Sequence, residues 1–388
     1  MIFPPRNAFN KEIVKIAKQV QNYYVKRNID PYVEGNFEKK FCYSFSRFMG
    51  SKGYCDAVNS GTVALFISLK SMNLQPKSFV LVPPITDPGS INAVLENGLK
   101  IWVTDTEVDS YNVSIDKIKN IILKDQGKKI KAILIVHSCG EVVRVDLLTK
   151  ICKKYNIKII EDCSQAHGAS INNIKVGNFG DISAFSMMSR KTITANGSAG
   201  IVYTKSKKIY HRGLALADRG KPTWLKKYNP RDPSFNLFSS LNFNLDEFSC
   251  AIGNHSMGKI KSIIKKRKLL AKYLKQRLNN ESNFLFINYS IEESSPFVIP
   301  VYFKKDMKVN KSRYIKSLQL NNIPLNPGYK FLITRWKYLK KIIKGENKIK
   351  NASKNIDNSF VLYLHEKYKK KHIDHIIKVI KKIEKNEK

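Results

Sequence analysis

Between residues 79 and 204 the chain repeats short, unbroken apolar runs, at 79–82, 101–103, 132–136, 157–160, 182–185 and 201–203, with stretches of helical character between several of them. Apolar residues that continue without alternation mark strands covered on both faces, whereas a strand with one wet face alternates apolar and polar positions. The pattern predicts an α/β fold, a mostly parallel central sheet sandwiched by helices. In such sheets ligands collect at the carboxyl ends of the strands. Three loops stand there: Pro83-Pro84-Ile85-Thr86, His137-Ser138-Cys139-Gly140 and the segment that opens at Asp162. They are expected to converge on one crevice.

After residue 255 the pattern changes. From 256 to 278 the period is helical, with Ile260, Ile263, Ile264, Ala271, Leu274 and Leu278 inward and a lysine-rich face opposite. This helix reads as a bridge to a smaller C-terminal α/β unit. There 297–301 is a strand, and Ile373, Ile376, Ile377, Ile380 and Ile383 share one face of a closing helix. Residues 340–358 read as an exposed linker, and the lysine-rich tail beyond Lys381 as a frayed end.

A chain of 388 residues, 43% hydrophobic, is long enough for two domains, or for one large domain with a smaller partner. No segment approaches the roughly 18 uninterrupted apolar residues of a membrane-spanning helix. The amino end, Met1-Ile2-Phe3-Pro4-Pro5-Arg6, has no sustained apolar run, so no membrane span and a cytoplasmic location are expected. Cys42, Cys55, Cys139, Cys152, Cys163 and Cys250 form no CxxC pair and read as free thiols.

The formal net charge of +38 raises nucleic-acid binding, because clustered basic side chains release phosphate counterions. Lysine far outnumbers arginine, however, the excess is spread along the chain, and Ile and Asn are abundant, as in the product of an AT-rich coding sequence. A solvated surface is the plainer explanation. Its alternatives are attraction of a polyanionic substrate and weak adhesion to nucleic acid or an anionic membrane. No specific nucleic-acid partner is expected.

Candidate chemistry concentrates in Ile159-Ile160-Glu161-Asp162-Cys163-Ser164-Gln165-Ala166-His167-Gly168 and, downstream, in Phe185-Ser186-Met187-Met188-Ser189-Arg190-Lys191. Asp162 stands at the mouth of a buried strand, and Lys191 follows another in a polar stretch containing Gly197 and Gly200. An acid and a lysine so placed suit pyridoxal 5'-phosphate. The acid can hold the pyridine nitrogen protonated, which makes the ring an electron sink, while the lysine amine carries the cofactor as a Schiff base. Asn59-Ser60-Gly61-Thr62 precedes an apolar helical run. The unpaired N–H groups of a helix start accept a phosphate, and Gly61 allows its close approach.

Each of these features also has an ordinary reading. Ser-Gly-Thr before a helix is commonly a plain N-cap, a lysine is usually a surface residue, and Asp162 by itself could cap a helix or bind a metal. Glu161, Asp162, Gln165 and His167 lack the cysteine or histidine spacing of a zinc site, so no metal is expected. The weight comes from their occurrence together.

At these residues the chain resembles the nucleotide-sugar aminotransferases of the DegT/StrS type, a branch of the fold type I pyridoxal-phosphate enzymes. The likeness covers roughly residues 35–253. It runs through Gly35-Asn36-Phe37-Glu38, Asn59-Ser60-Gly61-Thr62, Val82-Pro83-Pro84, Glu161 to Ala169, Gly180-Asp181 and Phe185-Ser186. Leu241-Asn242-Phe243-Asn244-Leu245-Asp246-Glu247, with Ala251-Ile252-Gly253, is similar to the stretch that crosses to the neighbouring subunit in that family.

The resemblance implies a division of the chain into three parts. Residues 1–33 would pack on the small domain or the dimer interface, 34–255 would form the large cofactor-binding domain, and 256–388 the small C-terminal domain. It also implies that Asp162 pairs with the pyridine nitrogen, Gln165 contacts the ring hydroxyl, and Lys191 forms the Schiff base. Ser186 and the Gly61-Thr62 backbone would hold the phosphate, and Asn242 would reach the phosphate of a partner subunit. The implied assembly is a homodimer with shared active sites.

Two departures stand out. The family usually has an aromatic residue after the threonine of its proline-rich loop, where it covers one face of the cofactor, and this chain has Thr86-Asp87-Pro88-Gly89. Its Ala195-Asn196-Gly197-Ser198-Ala199-Gly200 is one residue longer than the usual stretch after the lysine and lacks Gly-Glu-Gly-Gly. The implied activity is transfer of an amino group from an amino acid, glutamate first, to a keto group of a nucleotide-linked deoxysugar, serving amino-sugar and surface-polysaccharide biosynthesis. A dehydratase subgroup of the family carries histidine at the lysine position, and Lys191 argues against it. A regulatory or binding homologue without turnover is the alternative from another class.

Overall fold

The apolar runs form the centre of an eight-stranded sheet. The computed structural model describes residues 1–5, 11–31, 34–195, 197–305, 309–345 and 349–386. In chain order the first elements are α1 (Lys11–Arg27), α2 (Asn36–Met49), β1 (Tyr54–Val58), α3 (Gly61–Ser71), β2 (Phe79–Val82), α4 (Pro88–Leu95), β3 (Lys100–Val103), α5 (Ile115–Asp125) and β4 (Ile130–Val136). There follow α6 (Thr149–Lys154), β5 (Lys158–Asp162), the hairpin β6 (Ser170–Ile171) and β7 (Ile174–Lys175), β8 (Ile182–Ser186), β9 (Gly200–Thr204) and α7 (Lys207–Ala217). From Glu247 onward come α8 (Glu247–Met257), α9 (Ile260–Glu281), β10 (Leu285–Phe286), β11 (Val298–Phe303), α10 (Lys311–Leu320) and β12 (Leu325–Asn326). The last are β13 (Lys344–Gly345), α11 (Lys350–Asp357), β14 (Ser359–Tyr363) and α12 (Lys370–Asn386).

The large sheet has the order β1-β9-β8-β5-β4-β2-β3-β13. All its pairings are parallel except those of β9, which lies antiparallel to both β1 and β8. Side chains along each strand alternate between two apolar layers, which is why the runs are continuous. Val80, Val82, Leu134, Ile160 and Ala184 meet Ala64, Leu65 and Ile67 of α3. Leu81, Ile133, Ile135, Ile159 and Phe185 meet Phe41 and Phe45 of α2 on the other face. Phe45 packs edge-on against Phe185, with ring centres 4.9 Å apart, and truncating such a ring to alanine costs about 3–5 kcal/mol. A second, antiparallel sheet, β10-β11-β14-β12, lies in the C-terminal part.

The amino end is tied to both sheets' surroundings. Ile16, Val20 and Tyr24 of α1 pack on Ala251 and Ile252 of α8. Glu247 accepts from the Tyr24 hydroxyl and from the N–H groups of Phe37 and Glu38, at 2.9 and 2.7 Å for the last two. Ahead of α1, the Phe3 ring sits 5.4 Å from that of Tyr368. Among the described residues no helix is long and apolar enough to cross a membrane.

Three expectations need correction. Residues 340–358 are not an exposed linker: β13 adds to the large sheet beside β3, and α11 buries Ala352, Asn355 and Ile356. Asp105 accepts from the N–H groups of Asn351 and Ala352, at 3.1 and 2.9 Å, and Asn355 donates to the Ser110 carbonyl at 2.6 Å. Few apolar residues stand among its lysines and asparagines, so this anchoring by polar side chains leaves no periodic signal; residues 346–348 lie outside the described residues. Beyond Lys381 α12 continues to Asn386 with Ile383 and Glu384 buried, because Glu384 accepts from the Ser282 hydroxyl and from Asn283 N, the latter at 2.9 Å. The helix expected over 256–278 is broken at Gly258-Lys259, where α8 ends and α9 begins.

Candidate active site

Asp162 is the last residue of β5 and Ser186 the last of the neighbouring β8, so the sheet itself presents a carboxylate and a hydroxyl at one edge. Asp162 is only 4% exposed. Its Oδ1 accepts from the Ser164 N–H at 3.0 Å and its Oδ2 from the Ser90 hydroxyl at 2.9 Å. Each carboxylate oxygen has two lone pairs, so acceptor capacity remains for a further donor. Gln165 follows in the turn after β5. Its Oε1 accepts from Cys139 N at 2.7 Å, and its amide nitrogen faces the Tyr329 hydroxyl at 3.4 Å.

The chain leaves β8 through a loop closed by Met187, whose N–H donates to Ala199 O at 2.8 Å and whose carbonyl accepts from Ala195 N at 2.9 Å. Lys191 sits in this loop, half-buried, with Nζ 5.0 Å from the centre of the Phe297 ring. Behind it stands Arg267, 1% exposed, which donates to Thr192 Oγ1 at 3.1 Å and is paired with Glu366 at 2.7 Å. His167, fully buried, has neither ring nitrogen in a hydrogen bond of normal geometry. Burial, then the positive charges of Lys191 and Arg267, push its pKa down to about 3, against only a weak opposing pull from the Ser186 backbone. It is therefore a neutral neighbour of the lysine at ordinary pH.

The opposite wall is made by two helix starts. Ser60 caps α3, its Oγ accepting from Val63 N at 3.1 Å, and Asp87 caps α4, its Oδ1 accepting from Gly89 N at 2.9 Å. A methyl on Gly89 would stand 2.6 Å from Thr62 Oγ1, so glycine is what lets the two helix starts meet. Their free N–H groups and aligned dipoles favour an anion.

One cavity of about 190 Å³ is lined by Gly61, Thr62, Asp162, Gln165, Ser186 and Lys191 together, and also by Ser90, Ser164, Ser198 and Met188. Six of the seven expected site residues thus share one space. The seventh, Asn242, does not line it. Asn242 is exposed, bridged through its backbone to Asp218, with its side chain accepting from Asn244 N at 3.2 Å. The donor set fits pyridoxal phosphate in its parts: helix-start N–H groups and the serine hydroxyls for the phosphate, Asp162 for a ring N–H, the Gln165 amide for a ring oxygen, and Lys191 for the aldehyde.

Asp87 lines the cavity while its carboxylate caps α4, and the apolar residues lining the cavity, Leu65, Val136 and Met188, include no aromatic ring among the described residues. In the longer loop Ser198 donates to Asn59 O at 2.9 Å and faces the cavity, while Asn196 lies outside the described residues. Ser90 and Tyr329 were not legible as site residues. Ser90 lies in the first turn of a helix that begins only because Asp87-Pro88 starts it, and Tyr329 comes from the second sheet's side of the molecule.

His137, Glu161 and Cys163 bring three ligand atoms within 4.8 Å of one another. Glu161 and His137 already have hydrogen-bond partners. Glu161 accepts from the N–H groups of Gly177, Phe179 and Gly180 and from His137, whose other nitrogen accepts from Val143 N. The cluster is a brace under β5. A wider cavity of about 830 Å³, among Lys158, Asp181, Lys205, Lys208 and Arg212, opens at the other end of β5, and there Asp181 is paired with Lys158 at 3.6 Å.

The model of the DegT/DnrJ/EryC1/StrS aminotransferase family matches residues 15–381. The chain is 27% identical over 302 residues to GDP-perosamine synthase of Vibrio cholerae, covering 76% of this chain and 77% of that protein. It is 28% identical over 320 residues to UDP-4-amino-4,6-dideoxy-N-acetyl-beta-L-altrosamine transaminase of Campylobacter jejuni, covering 81% and 80%. Its fold is similar to that of an aminotransferase from Psychrobacter cryohalolentis, with a TM-score of 0.88 at 21% identity over the whole of both chains. It is also similar to GDP-4-keto-6-deoxymannose-3-dehydratase with a trapped PLP-glutamate geminal diamine, with a TM-score of 0.87 at 22% identity over 97% of this chain and 100% of that one. The architecture is the expected fold type I, and the chain belongs to the DegT/DnrJ/EryC1/StrS aminotransferase family.

Proposed function

We propose that this protein is a pyridoxal 5'-phosphate-dependent aminotransferase that moves an amino group from an amino acid, L-glutamate, to a keto group of a nucleotide-linked deoxysugar in amino-sugar biosynthesis. The observation that carries the reading is the single cavity shared by Lys191, Asp162, Gln165, Ser186 and the start of α3. When bound, the cofactor supplies an aldehyde that exchanges amino groups and a ring that accepts the electrons of the broken C–H bond.

The chain's own residues do the rest. The N–H groups at Gly61 and Thr62, with the Ser186 hydroxyl, hold the phosphate. Asp162 holds the proton on the ring nitrogen, and the Gln165 amide orients the ring oxygen. Lys191 Nζ would anchor the cofactor and, as a free amine, would take the proton from the donor's α-carbon. Arg267 and Thr192 hold the loop that carries it.

A cavity of about 190 Å³ is below the ~300–1,000 Å³ typical of pockets for drug-sized ligands. It suits the cofactor, and the nucleotide sugar extends across its mouth. Leu225, Leu237, Leu241 and Phe248 are exposed in and beside the segment that carries Asn242, which supports a second subunit there and a homodimer with shared sites. Excess positive charge draws the substrate's pyrophosphate. Six free cysteines suit a reducing compartment and support a cytoplasmic reaction.

The test supplies purified protein with the cofactor and [15N]glutamate and offers a panel of nucleotide-linked keto sugars. Label should appear in one sugar product, and borohydride should fix the cofactor to Lys191. A protein that takes up no cofactor, or that leaves the label on glutamate with every keto sugar, would refute the proposal.

A further inference from the structure

We infer that Ser90 is a positioning residue for Asp162, holding the carboxylate at the angle from which it meets the cofactor's ring nitrogen. The inference rests on the cofactor reading above and adds a residue to it. Ser90 is 1% exposed and comes from α4, 72 positions away from the carboxylate it touches. Its hydroxyl donates to Asp162 Oδ2 at 2.9 Å and accepts from Thr86 Oγ1 at 3.0 Å. A hydroxyl has one proton, so the chain has one direction: Thr86 to Ser90 to Asp162.

Thr86 is itself held from outside the loop. Its N–H donates to Phe331 O at 3.1 Å, and Ile333 N donates back to Pro84 O at 2.9 Å. The Asp87-Pro88 helix start fixes the other end, since the Asp87 cap sets the first turn in which Ser90 lies. The loop after β2 therefore supplies a hydroxyl relay onto the acid.

With Ser164 N on Oδ1 and Ser90 on Oδ2, neither oxygen can swing away without losing a buried hydrogen bond. Without Ser90 the carboxylate is held at one oxygen only. Its grip on the ring proton weakens, the ring withdraws electrons less, and C–H cleavage slows while substrate binding is unchanged.

The experiment compares holoenzymes of the wild type, Ser90→Ala, Ser90→Thr and Thr86→Val. For Ser90→Ala, kcat should fall about 10- to 100-fold, the range for loss of a hydrogen bond to a charged group, with KM for both substrates within about twofold. The visible absorption of the bound cofactor at fixed pH should change with it. Ser90→Thr, which keeps the hydroxyl, should restore both, and Thr86→Val should shift both in the Ser90→Ala direction by a smaller factor. An Ser90→Ala enzyme with the wild-type spectrum and kcat would overturn the inference, as would equal losses in Ser90→Ala and Ser90→Thr, which would assign the effect to packing. If the wild type itself fails to retain cofactor on Lys191 after borohydride, the underlying cofactor reading falls and takes this inference with it.

Discussion

Gly61 and Ser186 approach so closely that a methyl group placed on Gly61 would stand 2.5 Å from the Ser186 β-carbon. The contact joins the start of α3 to the end of β8, and the proposed phosphate site lies along that seam. Backbone atoms cannot yield as a flexible side chain can: the same methyl would meet the Ser186 α-carbon at 3.0 Å. Gly61→Ala should push the two elements apart and disturb the phosphate cradle before it disturbs the fold. We expect cofactor affinity to fall about 10- to 100-fold, equivalent to about 1–3 kcal/mol, measured by equilibrium titration of the apoprotein. Unchanged affinity would mean that the phosphate is held elsewhere.

The pair Arg267 and Glu366 supports the lysine loop from behind. Arg267 is 1% exposed and donates to Glu366 Oε2 from both Nε, at 2.9 Å, and Nη2, at 2.7 Å, while its Nη1 reaches Thr192. Removing one partner of a buried pair leaves a charge without compensation, which costs about 3–5 kcal/mol. Glu366 is 28% exposed on its side chain, so water can partly replace it, and Glu366→Gln should cost nearer the lower figure or less. Denaturant unfolding should show this loss. The same variant should lower turnover through the loop, with a weaker effect on cofactor affinity, because Glu366 does not line the cavity that holds the proposed phosphate site.

What could be read without coordinates follows the local chemistry. The buried strands were legible because two apolar layers make them apolar throughout, as Val80, Leu81 and Val82 show. Asp162, Gln165, Ser186 and Lys191 were legible because each sits within a few residues of such a strand. Ser90 was not, since its meaning comes from a partner 72 positions away. Residues 350–357 were misread for a related reason. The contacts that fold that helix are side-chain bonds of Asp105 and Asn355 to partners 247 and 248 positions away, and polar anchoring has no period.

His167 should make stability depend on pH in acid. Its folded pKa, about 3, lies below the ordinary value of 6.5, so between these limits the unfolded chain binds a proton that the folded chain refuses. Stability from this group is complete above about pH 6.5 and is lost as pH falls toward 3, by up to about 1.4 kcal/mol per pH unit. Glu38 and Asp56 act with the opposite sign, since burial and mutual repulsion among acids raise both and acidification then favours the folded state. They are present in either protein, so the difference between wild type and His167→Leu isolates the histidine. Denaturation between pH 4 and 6.5 should give a flatter profile for the variant on its acid-sensitive side. Parallel profiles would show that the imidazole is protonated in the folded protein.

Asn242 tests the shared site. It does not line the cavity of its own chain, it stands on an exposed segment beside exposed Leu241, and its side-chain oxygen accepts from Asn244. If it completes a partner's phosphate site, Asn242→Ala and Lys191→Ala damage different halves of each active site. Refolding the two variants together would give mixed dimers, about half of the total by random pairing, in which one site has both residues intact and the other has neither. Two preparations of low activity should then recover about one quarter of wild-type turnover on mixing, and the recovered activity should follow the fraction of mixed dimers. If Asn242 served its own chain, every mixed dimer would hold one site lacking Lys191 and one lacking Asn242. Mixing would then give only the average of the two variants, whatever the dimer distribution.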